Sequence, residues 1–284
     1  MIHLGELWKK RERLRALEET AYKYYCSVCL IIRDENEYLK EWFDWHISLG
    51  IEHFYIYDHG SKEPVSEYIK SLGKEISERV TVRDWSGSHA NAQPDAYNDC
   101  LQRYNKESRW IGFIDVDEQV RVKTGQTLPE FLKGYESFAG LFMVWLTYDA
   151  NGQRYKSSLP LRQRFTHITV ERGLNDHLGK VFVQVLLMED MHIHNGHTVK
   201  YFDVVDENKE KIEDNSIWKD KVTTELICVD HYFTKSYEEW LEKLKRGSCD
   251  ADYMRKYDEF FRCNPDMEYC RENIEIFQKY GQFD

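Results

Sequence analysis

The sequence predicts an α/β fold in which helices flank a mostly parallel, doubly wound central sheet. Short apolar runs alternate with segments of helical periodicity across residues 25–120. Parallel strands need crossover connections that usually carry a helix, so this alternation favours parallel pairing. The chain has 284 residues and is 42% hydrophobic, which is enough to bury a large core.

The first half of the chain contains the clearest alternation. Apolar and β-branched runs predict strands over residues 25–32, 53–58, 79–85 and 109–116. Apolar residues at helical spacing predict helices over residues 37–49, 65–72 and 94–104. Gly50 and Gly73 follow the first two helices, where a glycine commonly ends a helix.

The second half of the chain is less regular. Strand-like runs cover residues 140–149 and 181–188, and helices are predicted over residues 237–247 and 250–261. No internal repeat, low-complexity tract or linker divides the sequence. We therefore predict a single domain over residues 1–284, made of an N-terminal helix (1–24), a first half (25–120) and a second half (121–284).

Charge, apolar runs and cysteines argue against several classes of protein. The formal net charge of −11 argues against a nucleic-acid-binding face, which normally carries basic patches. No apolar run approaches the ~18 residues of a transmembrane helix, and the N-terminal residues lack the apolar region of a signal peptide. Cys26 and Cys29 have CxxC spacing without a second pair, so reduced structural thiols of a cytosolic protein are favoured over a zinc site.

Acidic side chains follow three of the predicted strands. The acids of residues 33–36 follow the first, Asp58 ends the second, and Asp115 and Asp117 end the fourth. The carboxyl ends of parallel strands meet at one sheet edge, where converging carboxylates repel one another unless a cation lies among them. Oxygen ligands favour Mn²⁺ or Mg²⁺, so the Asp115-x-Asp117 triplet predicts a metal and diphosphate site. The structural alternative is a solvated acidic turn.

Other side chains are candidates for the same site. His231 is a candidate metal ligand, although a histidine beside a strand is more often a hydrogen-bonded structural residue. Glu35 and Asp58 are candidates for holding a nucleoside, with helix capping as the competing interpretation for the acids of residues 33–36. Lys180 is a candidate for contacting phosphates.

Three histidines, His192, His194 and His197, lie close together in the sequence. Alternation along a strand would place His192 and His194 on one face, with Glu189 and Asp190 beside them. Zinc binding is one interpretation, but no HExxH motif or cysteine pair accompanies these histidines. We favour a role in shaping a binding pocket, or no role, over a zinc site.

Motifs in a recognisable order extend from about residue 26 to residue 262. They are Arg33-Asp34-Glu35, Glu41-Trp42 with His46, Tyr57-Asp58 with Ser61, Gln93 with Tyr97-Asn98-Asp99-Cys100, FIDVDE at 113–118, and HYFTKSYEEWLEKLKRG at 231–247. Together they resemble glycosyltransferase family 92 and related family-2-like transferases. Asp34 stands where these usually have asparagine, and Gln119 stands where an aromatic or apolar residue is common.

The resemblance implies a GT-A fold and a metal-dependent hexosyltransferase, with residues 25–120 binding the nucleotide and residues 121–284 the acceptor. The implied donor is a UDP-sugar, with UDP-galactose favoured, and the implied cofactor is Mn²⁺, with Mg²⁺ not distinguished. Asp115 and Asp117 correspond to the family's DxD residues, and His231 to a further metal ligand. Glu35, Asp58, Gln93, Asp115 and Lys180 form the expected nucleotide side of the site.

The resemblance also implies inversion at the anomeric carbon, which requires a general base for the acceptor hydroxyl. Asp190 lies in the sequence roughly where related folds place a Glu-Asp base, and Asp149 is the rival. The expected partners are therefore a nucleotide-sugar donor and a glycan acceptor, and nucleic acid is not expected.

Two other functions compete with sugar transfer. A sugar-1-phosphate nucleotidyltransferase would normally carry a glycine-rich loop after the first strand, and residues 33–36 are not glycine-rich. A non-catalytic, carbohydrate-binding relative of a transferase is the second alternative. Animal members of the family carry a membrane anchor, and since none is evident here we expect a cytoplasmic enzyme that builds a surface glycan. A peripheral contact at the inner membrane face through Trp8 is a further expectation.

Overall fold

The computed structural model describes residues 4–87, 89, 91–169, 178–212, 223–248 and 254–272. Strands within this part of the chain are β1 (Tyr24–Ile32), β2 (His53–Asp58), β3 (Val80–Asp84), β4 (Ser108–Phe113), β5 (Glu118–Val122), β6 (Gly140–Thr147), β7 (Gly179–Gln184), β8 (Val204–Val205) and β9 (Ile227–His231). Helices are α1 (Leu4–Glu19), α2 (Asn36–Ser48), α3 (Val65–Ser71), α4 (Lys74–Ser77), α5 (Ala92–Arg103), α6 (Leu128–Leu132), α7 (Leu161–Arg164), α8 (Tyr237–Arg246) and α9 (Asp258–Cys263). Short 3₁₀ helices cover Lys133–Tyr135, Val185–Leu187 and Pro265–Glu272.

The strands form one sheet in the order β3-β2-β1-β4-β7-β6-β9-β5, and β8 pairs separately with β6. Strands β3, β2, β1 and β4 are mutually parallel. Strand β7 runs antiparallel to both β4 and β6, and β5 runs antiparallel to β9. Most pairings are parallel because helices connect the first four strands of the sheet. The predicted fold class, a mostly parallel α/β sheet flanked by helices, is confirmed.

Each face of the sheet carries its own apolar core. Alternate residues of β1 point to opposite faces, so Val28 and Leu30 belong to one core whereas Cys29 and Ile31 belong to the other. On the first face Trp42 of α2 packs its ring 5.4 Å from the ring of Phe54 in β2. Full burial of one such side chain contributes about 1.5–3 kcal/mol. These two cores hold the strand ends, and therefore the acids that follow them, in fixed positions.

The strand that carries the acidic triplet is shorter than predicted. Strand β4 ends at Phe113 and not at residue 116, and the chain then turns into the unpredicted strand β5. The carboxylate of Glu118 closes this turn by accepting a hydrogen bond from the backbone N–H of Asp115 at 2.8 Å. Asp115 and Asp117 therefore lie at the joint between two strands, where both side chains can leave the sheet.

The second half departs from the sequence prediction in three further places. Strand β7 ends at Gln184, and a 3₁₀ turn replaces the rest of the strand expected over residues 181–188. Strand β9 was not predicted, although it ends on His231. The helix expected over residues 250–261 begins at Asp258 in α9, and residues 249–253 lie outside the described residues. Among the helices in the described ranges, none has the length and apolar character needed to span a bilayer.

Candidate functional site

A cavity of about 400 Å³ lies at the carboxyl ends of β1 and β4, next to the β4–β5 turn. It brings together five of the predicted site residues, namely Glu35, Gln93, Asp115, Asp117 and His231. The rest of its lining is mainly apolar and basic, with one further acid, Glu259: Ile31, Ile32, Arg33, Val116, Trp145, Leu178, Ile193, His194, Phe233, Lys243, Arg246, Gly247, Ser248, Arg255 and Glu259. The site thus forms where the topology of an open α/β sheet favours ligand binding.

Asp115 is held by donors on both of its carboxylate oxygens. Oδ1 accepts hydrogen bonds from Nε2 of Gln93 at 2.9 Å and from the hydroxyl of Tyr97 at 3.1 Å. Oδ2 accepts a hydrogen bond from Nζ of Lys180 at 2.8 Å. Gln93 and Tyr97 lie one turn apart on α5, so a single helix supplies two of the three donors. The orientation of this carboxylate is therefore fixed before any ligand binds.

Lys180 carries the positive charge that balances this part of the site. Its side chain is fully buried, and its Nζ also lies 3.9 Å from the carboxylate of Glu118. Burial lowers the pKa of Lys180, but the nearby charges of Asp115 and Glu118 outweigh burial and raise it. For Glu118 burial dominates and raises the pKa well above its usual range. Lys180 is thus a buried, charged partner of Asp115, and its contact with a phosphate stays a prediction.

Asp117 is more deeply buried than Asp115 and has a different partner. Its Oδ2 accepts a hydrogen bond from Nζ of Lys243 at 2.6 Å, and the same Nζ also donates to the backbone carbonyl of Phe233 at 2.8 Å. Burial would raise the pKa of Asp117, but the charges of Lys243 and Lys235 outweigh it and hold that pKa well below its usual range. Asp117 is therefore an ionised acceptor at the floor of the cavity.

His231 faces the second oxygen of Asp117. Its Nε2 lies 4.0 Å from Oδ1 of Asp117, and its ring centroid lies 4.2 Å from that of Trp145. Burial lowers the pKa of His231 to about 3, so the imidazole is neutral. Within the described residues, Nδ1 of His231 is buried without a hydrogen-bond partner. A neutral, under-satisfied imidazole beside a carboxylate is suited to ligating a metal.

Glu35 also lines the cavity and holds two cations. Its Oε1 accepts a hydrogen bond from Nζ of Lys235 at 2.9 Å, and its Oε2 lies 2.9 Å from the guanidinium of Arg246. Burial raises the pKa of Glu35, but the charges of Lys235 and Arg246 lower it by more, so the pKa lies below its usual value. Helix capping does not explain this residue, since its side chain makes no capping hydrogen bond to α2. Glu35 instead fixes two positive groups beside the cavity.

Asp58, at the end of β2, is engaged by the turn that follows this strand. Its Oδ1 accepts a hydrogen bond from the backbone N–H of Ser61, and its Oδ2 accepts one from that of Val65, each at 2.9 Å. The carboxylate therefore organises the turn that leads into α3. Asp58 does not belong to the lining of the cavity.

The two acids considered for the general base also lie outside this lining. Asp190 is half-buried, and its carboxylate accepts hydrogen bonds from the backbone N–H of His197 at 3.1 Å and from the ring Nδ1 of His197 at 2.9 Å. Asp149 accepts a hydrogen bond from the backbone N–H of Asn151 at 2.8 Å, and burial raises its pKa.

The three neighbouring histidines separate into two environments. His194 lines the cavity, where its Nδ1 lies 3.0 Å from the carbonyl of Gly179 and its ring lies 5.0 Å from that of Trp145. Burial lowers the pKa of His194 to about 4. His192 and His197 are exposed on the other side of the same loop. The expected alternation, with His192 and His194 on one face, is wrong because this segment turns as a loop and is not a strand.

Several partners of the acids that line the cavity were not predicted from the sequence. Lys243 lies on α8, far along the chain from its partner Asp117, so no local pattern reveals the pair. Lys235 likewise reaches Glu35 only through the tertiary fold. Tyr97 was recognisable in principle, since its spacing from Gln93 places both on one face of a helix.

The residues present fit a divalent cation. Asp117 supplies an ionised oxygen, and His231 supplies a neutral nitrogen within 4.0 Å of that oxygen. Asp115 remains partly open to the cavity, and a carboxylate has more lone pairs than the three donors around it use. Two carboxylates and one imidazole form a mixed oxygen and nitrogen donor set that suits Mn²⁺.

Comparison with known proteins assigns this chain to a protein family. The family model described as glycosyltransferase family 92 matches residues 23–243. A glycosyltransferase family 92 protein of Oryza sativa subsp. japonica is 29% identical over 108 residues, which cover 38% of this chain and 18% of that protein. A galactan β-1,4-galactosyltransferase of Arabidopsis thaliana is 32% identical over 155 residues, which cover 46% of this chain and 30% of that protein. The chain spans less than a third of the length of these relatives.

Solved structures give weaker matches. A galactosyltransferase solved with donor and acceptor sugar analogues covers 56% of this chain and 58% of its own, with 14% identity and a TM-score of 0.30. Glucosyl-3-phosphoglycerate synthase from Mycobacterium tuberculosis, solved with UDP, covers 66% of this chain and 63% of its own. The match has 14% identity and a TM-score of 0.33. These TM-scores are too low to carry an argument. The match of the family model over most of the sequence decides the assignment, and the chain belongs to glycosyltransferase family 92.

Proposed function

We propose that this protein is a metal-dependent glycosyltransferase of the GT-A type that transfers a hexose from a UDP-sugar to a hydroxyl group of a glycan, with inversion. The observation that carries the proposal is the pairing of Asp117 with a neutral His231 beside the oriented carboxylate of Asp115, all on one cavity. Membership of glycosyltransferase family 92 supports the same activity.

The chain's own groups divide the work of binding the donor. Asp115 and Asp117, with His231, would hold a divalent cation, which neutralises the charge of the departing diphosphate. Lys235, Lys243 and Arg246 add fixed positive charge around the same cavity. Because these cations are already paired with carboxylates, their orientation costs little reorganisation when an anion binds.

The predicted nucleotide side of the site is retained in a modified form. Gln93 orients Asp115, and Glu35 positions Lys235 and Arg246, so both residues act on the donor through a neighbour. The contribution of Asp58 to nucleoside binding is proposed to be indirect, since its carboxylate is engaged by the turn before α3.

Galactose is the proposed sugar. The support is the matched galactan β-1,4-galactosyltransferases of Arabidopsis thaliana, which are 28–32% identical over the matched regions. Trp145, next to His231 on the cavity wall, offers an aromatic face on which a sugar ring can stack. The enzyme is proposed to act in the cytoplasm on a surface glycan, and exposed Trp8 on α1 is the proposed contact for a peripheral position at the membrane.

For the general base, the proposal keeps the two acids that the sequence order suggested, Asp190 and Asp149. Neither lines the cavity, so either role requires the acceptor to extend beyond it. Replacing the true base by asparagine should lower transfer by about 10²- to 10⁴-fold while UDP affinity is unchanged. Asp190→Asn and Asp149→Asn are therefore compared with the wild type in both measurements, and a variant that retains turnover is excluded as the base.

The activity is tested by incubating the protein with a panel of UDP-sugars and Mn²⁺, with and without oligosaccharide acceptors, and measuring UDP release. UDP-galactose should be consumed fastest, and EDTA should stop the reaction. No release from any donor would contradict the proposal and favour a non-catalytic, carbohydrate-binding protein. Formation of a UDP-sugar from UTP and a sugar 1-phosphate would identify a nucleotidyltransferase instead.

A further inference from the structure

A second cluster of metal-ligating side chains lies outside the cavity, on the loop formed by residues 189–197. Asp190, His192 and His197 each offer one ligand atom, and these three atoms lie within 4.8 Å of one another. Oδ1 of Asp190 lies 2.9 Å from Nδ1 of His197 and 3.8 Å from Nε2 of His192. None of the three residues lines the donor cavity.

The spacing of these atoms is close to that of ligands around a single ion. Zinc binds imidazole nitrogen and carboxylate oxygen at about 2.0–2.2 Å, so tetrahedral ligands lie about 3.4 Å apart. Small side-chain rotations would bring all three atoms to that separation. About half of each side chain is exposed, so an ion can reach the cluster and a water molecule can complete its coordination.

The loop that carries the cluster is built to hold one shape. Its base is closed by a hydrogen bond from the backbone N–H of Glu189 to the carbonyl of His197 at 2.8 Å, and its tip by one from His192 to the carbonyl of Asn195 at 2.6 Å. Gly196 permits the fold-back, since a Cβ at this position would lie 2.1 Å from the carbonyl oxygen of Asp190. The ligand-bearing residues are therefore positioned by the backbone before an ion binds.

Contacts with helix α5 anchor the same loop to the body of the protein. Asn98 donates from Nδ2 to the carbonyl of Met191 at 2.8 Å and accepts at Oδ1 from the backbone N–H of Met191 at 2.9 Å. Met191 is itself buried, and it lies between two of the three ligand residues in sequence. A two-point amide clamp of this kind holds the ligand-bearing segment against a rigid helix.

The chemistry of the cluster differs from that of the donor cavity. Two imidazoles and one carboxylate suit Zn²⁺ or another late first-row divalent ion better than Mg²⁺, which prefers oxygen ligands. We propose that Asp190, His192 and His197 form a second metal site, selective for Zn²⁺ and separate from the Asp115 and Asp117 site. A bound ion would occupy the carboxylate of Asp190, so this site competes with a role for Asp190 as the general base.

The loop itself separates the two sites. Ile193 and His194 lie between the ligand residues in sequence but line the donor cavity. Nζ of Lys180, the partner of Asp115, lies 3.5 Å from the carbonyl oxygen of Ile193. A metal on the outer side of the loop would thus bind independently of the inner one.

Zinc titration of the full chain at pH 7.5, followed by calorimetry in the presence of excess Mg²⁺, tests this proposal. The wild type should bind one equivalent of Zn²⁺ at the cluster, and His192→Ala and His197→Ala should each weaken that binding by about tenfold or more, since each loses one of three ligands. His167→Ala, which removes another exposed histidine, and Asp117→Asn, which alters the cavity site, should leave it unchanged.

The same variants can be titrated with Co²⁺, whose visible absorption is intense in a tetrahedral protein site and weak for the hydrated ion. An intense band in the wild type that is lost in His192→Ala and His197→Ala supports the site. The proposal is overturned if the wild type binds no Zn²⁺ at micromolar concentration, or if both histidine variants bind it like the wild type. Retention of all Zn²⁺ binding in these variants together with its loss in Asp117→Asn would assign the ion to the donor cavity instead.

Discussion

The two carboxylates of the Asp115–Asp117 triplet are held in contrasting ways. Asp115 is about a third exposed and accepts hydrogen bonds from three groups, Lys180, Gln93 and Tyr97. Asp117 is almost fully buried and accepts a hydrogen bond from Lys243, with His231 facing its other oxygen. Two positions of one short turn, separated only by Val116, therefore differ in burial, in the number of donors and in the part of the chain that supplies them.

This difference indicates how the site divides its tasks. The donors to Asp115 come from α5 and β7, which belong to the packed body of the sheet, so the loss of any one leaves the others in place. The principal partner of Asp117 comes from α8, near the other end of the chain. We therefore expect substitution of Asp117 to lower the transfer rate strongly, and substitution of each partner of Asp115 to lower it by a smaller amount.

The largest expected effect on stability concerns a buried carboxylate that lies away from the triplet, that of Glu239, which is paired with Arg164. Glu239 accepts hydrogen bonds from Arg164, at 3.0 Å from Nη1, and from Tyr38 at 2.6 Å. Glu239→Gln should reduce the free energy of unfolding by about 3–5 kcal/mol, because it leaves the buried guanidinium of Arg164 unpaired. Urea unfolding of the variant and wild type measures this, and a loss below 1 kcal/mol would contradict it.

The same ion pair predicts a dependence of stability on pH. Burial raises the pKa of Glu239, but hydrogen bonds from Arg164, Ser236 and Tyr38 outweigh burial and lower that pKa to about 2. Since the folded pKa lies below the usual value, the contribution is present above about pH 4.5 and is lost as the pH falls toward 2. Urea midpoints of the wild type should therefore fall more steeply across this range than those of Glu239→Gln.

Among changes at the triplet and its partners, Asp117→Asn is expected to have the largest effect on catalysis. It removes the charge that faces His231 and the partner of Lys243, so transfer from the UDP-sugar should fall by about 10²- to 10³-fold. Initial rates at saturating donor and Mn²⁺ measure the change. Asp44→Asn, which alters an exposed acid of α2 paired with Lys40, is the matched control and should retain full activity. Equal rates for the two variants would remove Asp117 from the site.

Lys180→Met should have a smaller but clear effect. Asp115 loses its one cationic partner but keeps the hydrogen bonds of Gln93 and Tyr97, so we expect transfer to fall by about 10- to 100-fold. Lys243→Met is the corresponding change at the other carboxylate and should be the more damaging of the two. The reverse order would contradict the contrast drawn between Asp115 and Asp117.

Gln93→Ala should have the smallest effect of the series. The Asp115 carboxylate retains Lys180 on one oxygen and Tyr97 on the other, so a loss of about 1 kcal/mol of transition-state stabilisation is expected, or about fivefold in rate. The rate measurement used for the previous variants applies here. A loss as large as that of Asp117→Asn would mean that Gln93 contacts the substrate directly.

The first half of the fold was largely predictable because its local signals agree. Strand β2 was predicted to the residue, and α2 within two residues, since apolar periodicity and terminal glycines mark both. Strand β5 was missed because it begins with Glu118 and Gln119, two polar residues whose burial depends on distant partners. No local pattern reveals a polar residue that becomes buried only in the folded chain.

The site shows the same division between local and tertiary information. The position of Asp115 and Asp117 after an apolar strand was evident from the sequence, which also made His231 a candidate ligand that the family resemblance then supported. Lys243 and Lys235 were not predictable, because they pair with acids more than 100 residues away. Asp58 shows that a local signal can also be ambiguous, since an acid at a strand end can organise a turn as well as bind a ligand.

The most direct test of the central claim is a calorimetric titration of UDP into the protein, with and without Mn²⁺. We predict that Mn²⁺ raises the UDP affinity of the wild type by at least about tenfold, equivalent to 1.4 kcal/mol. In Asp117→Asn this increase should disappear, while circular dichroism shows the variant to be folded. Equal UDP affinity with and without Mn²⁺ in the wild type, or the same Mn²⁺ effect in the variant, would contradict a metal and diphosphate site at Asp115 and Asp117.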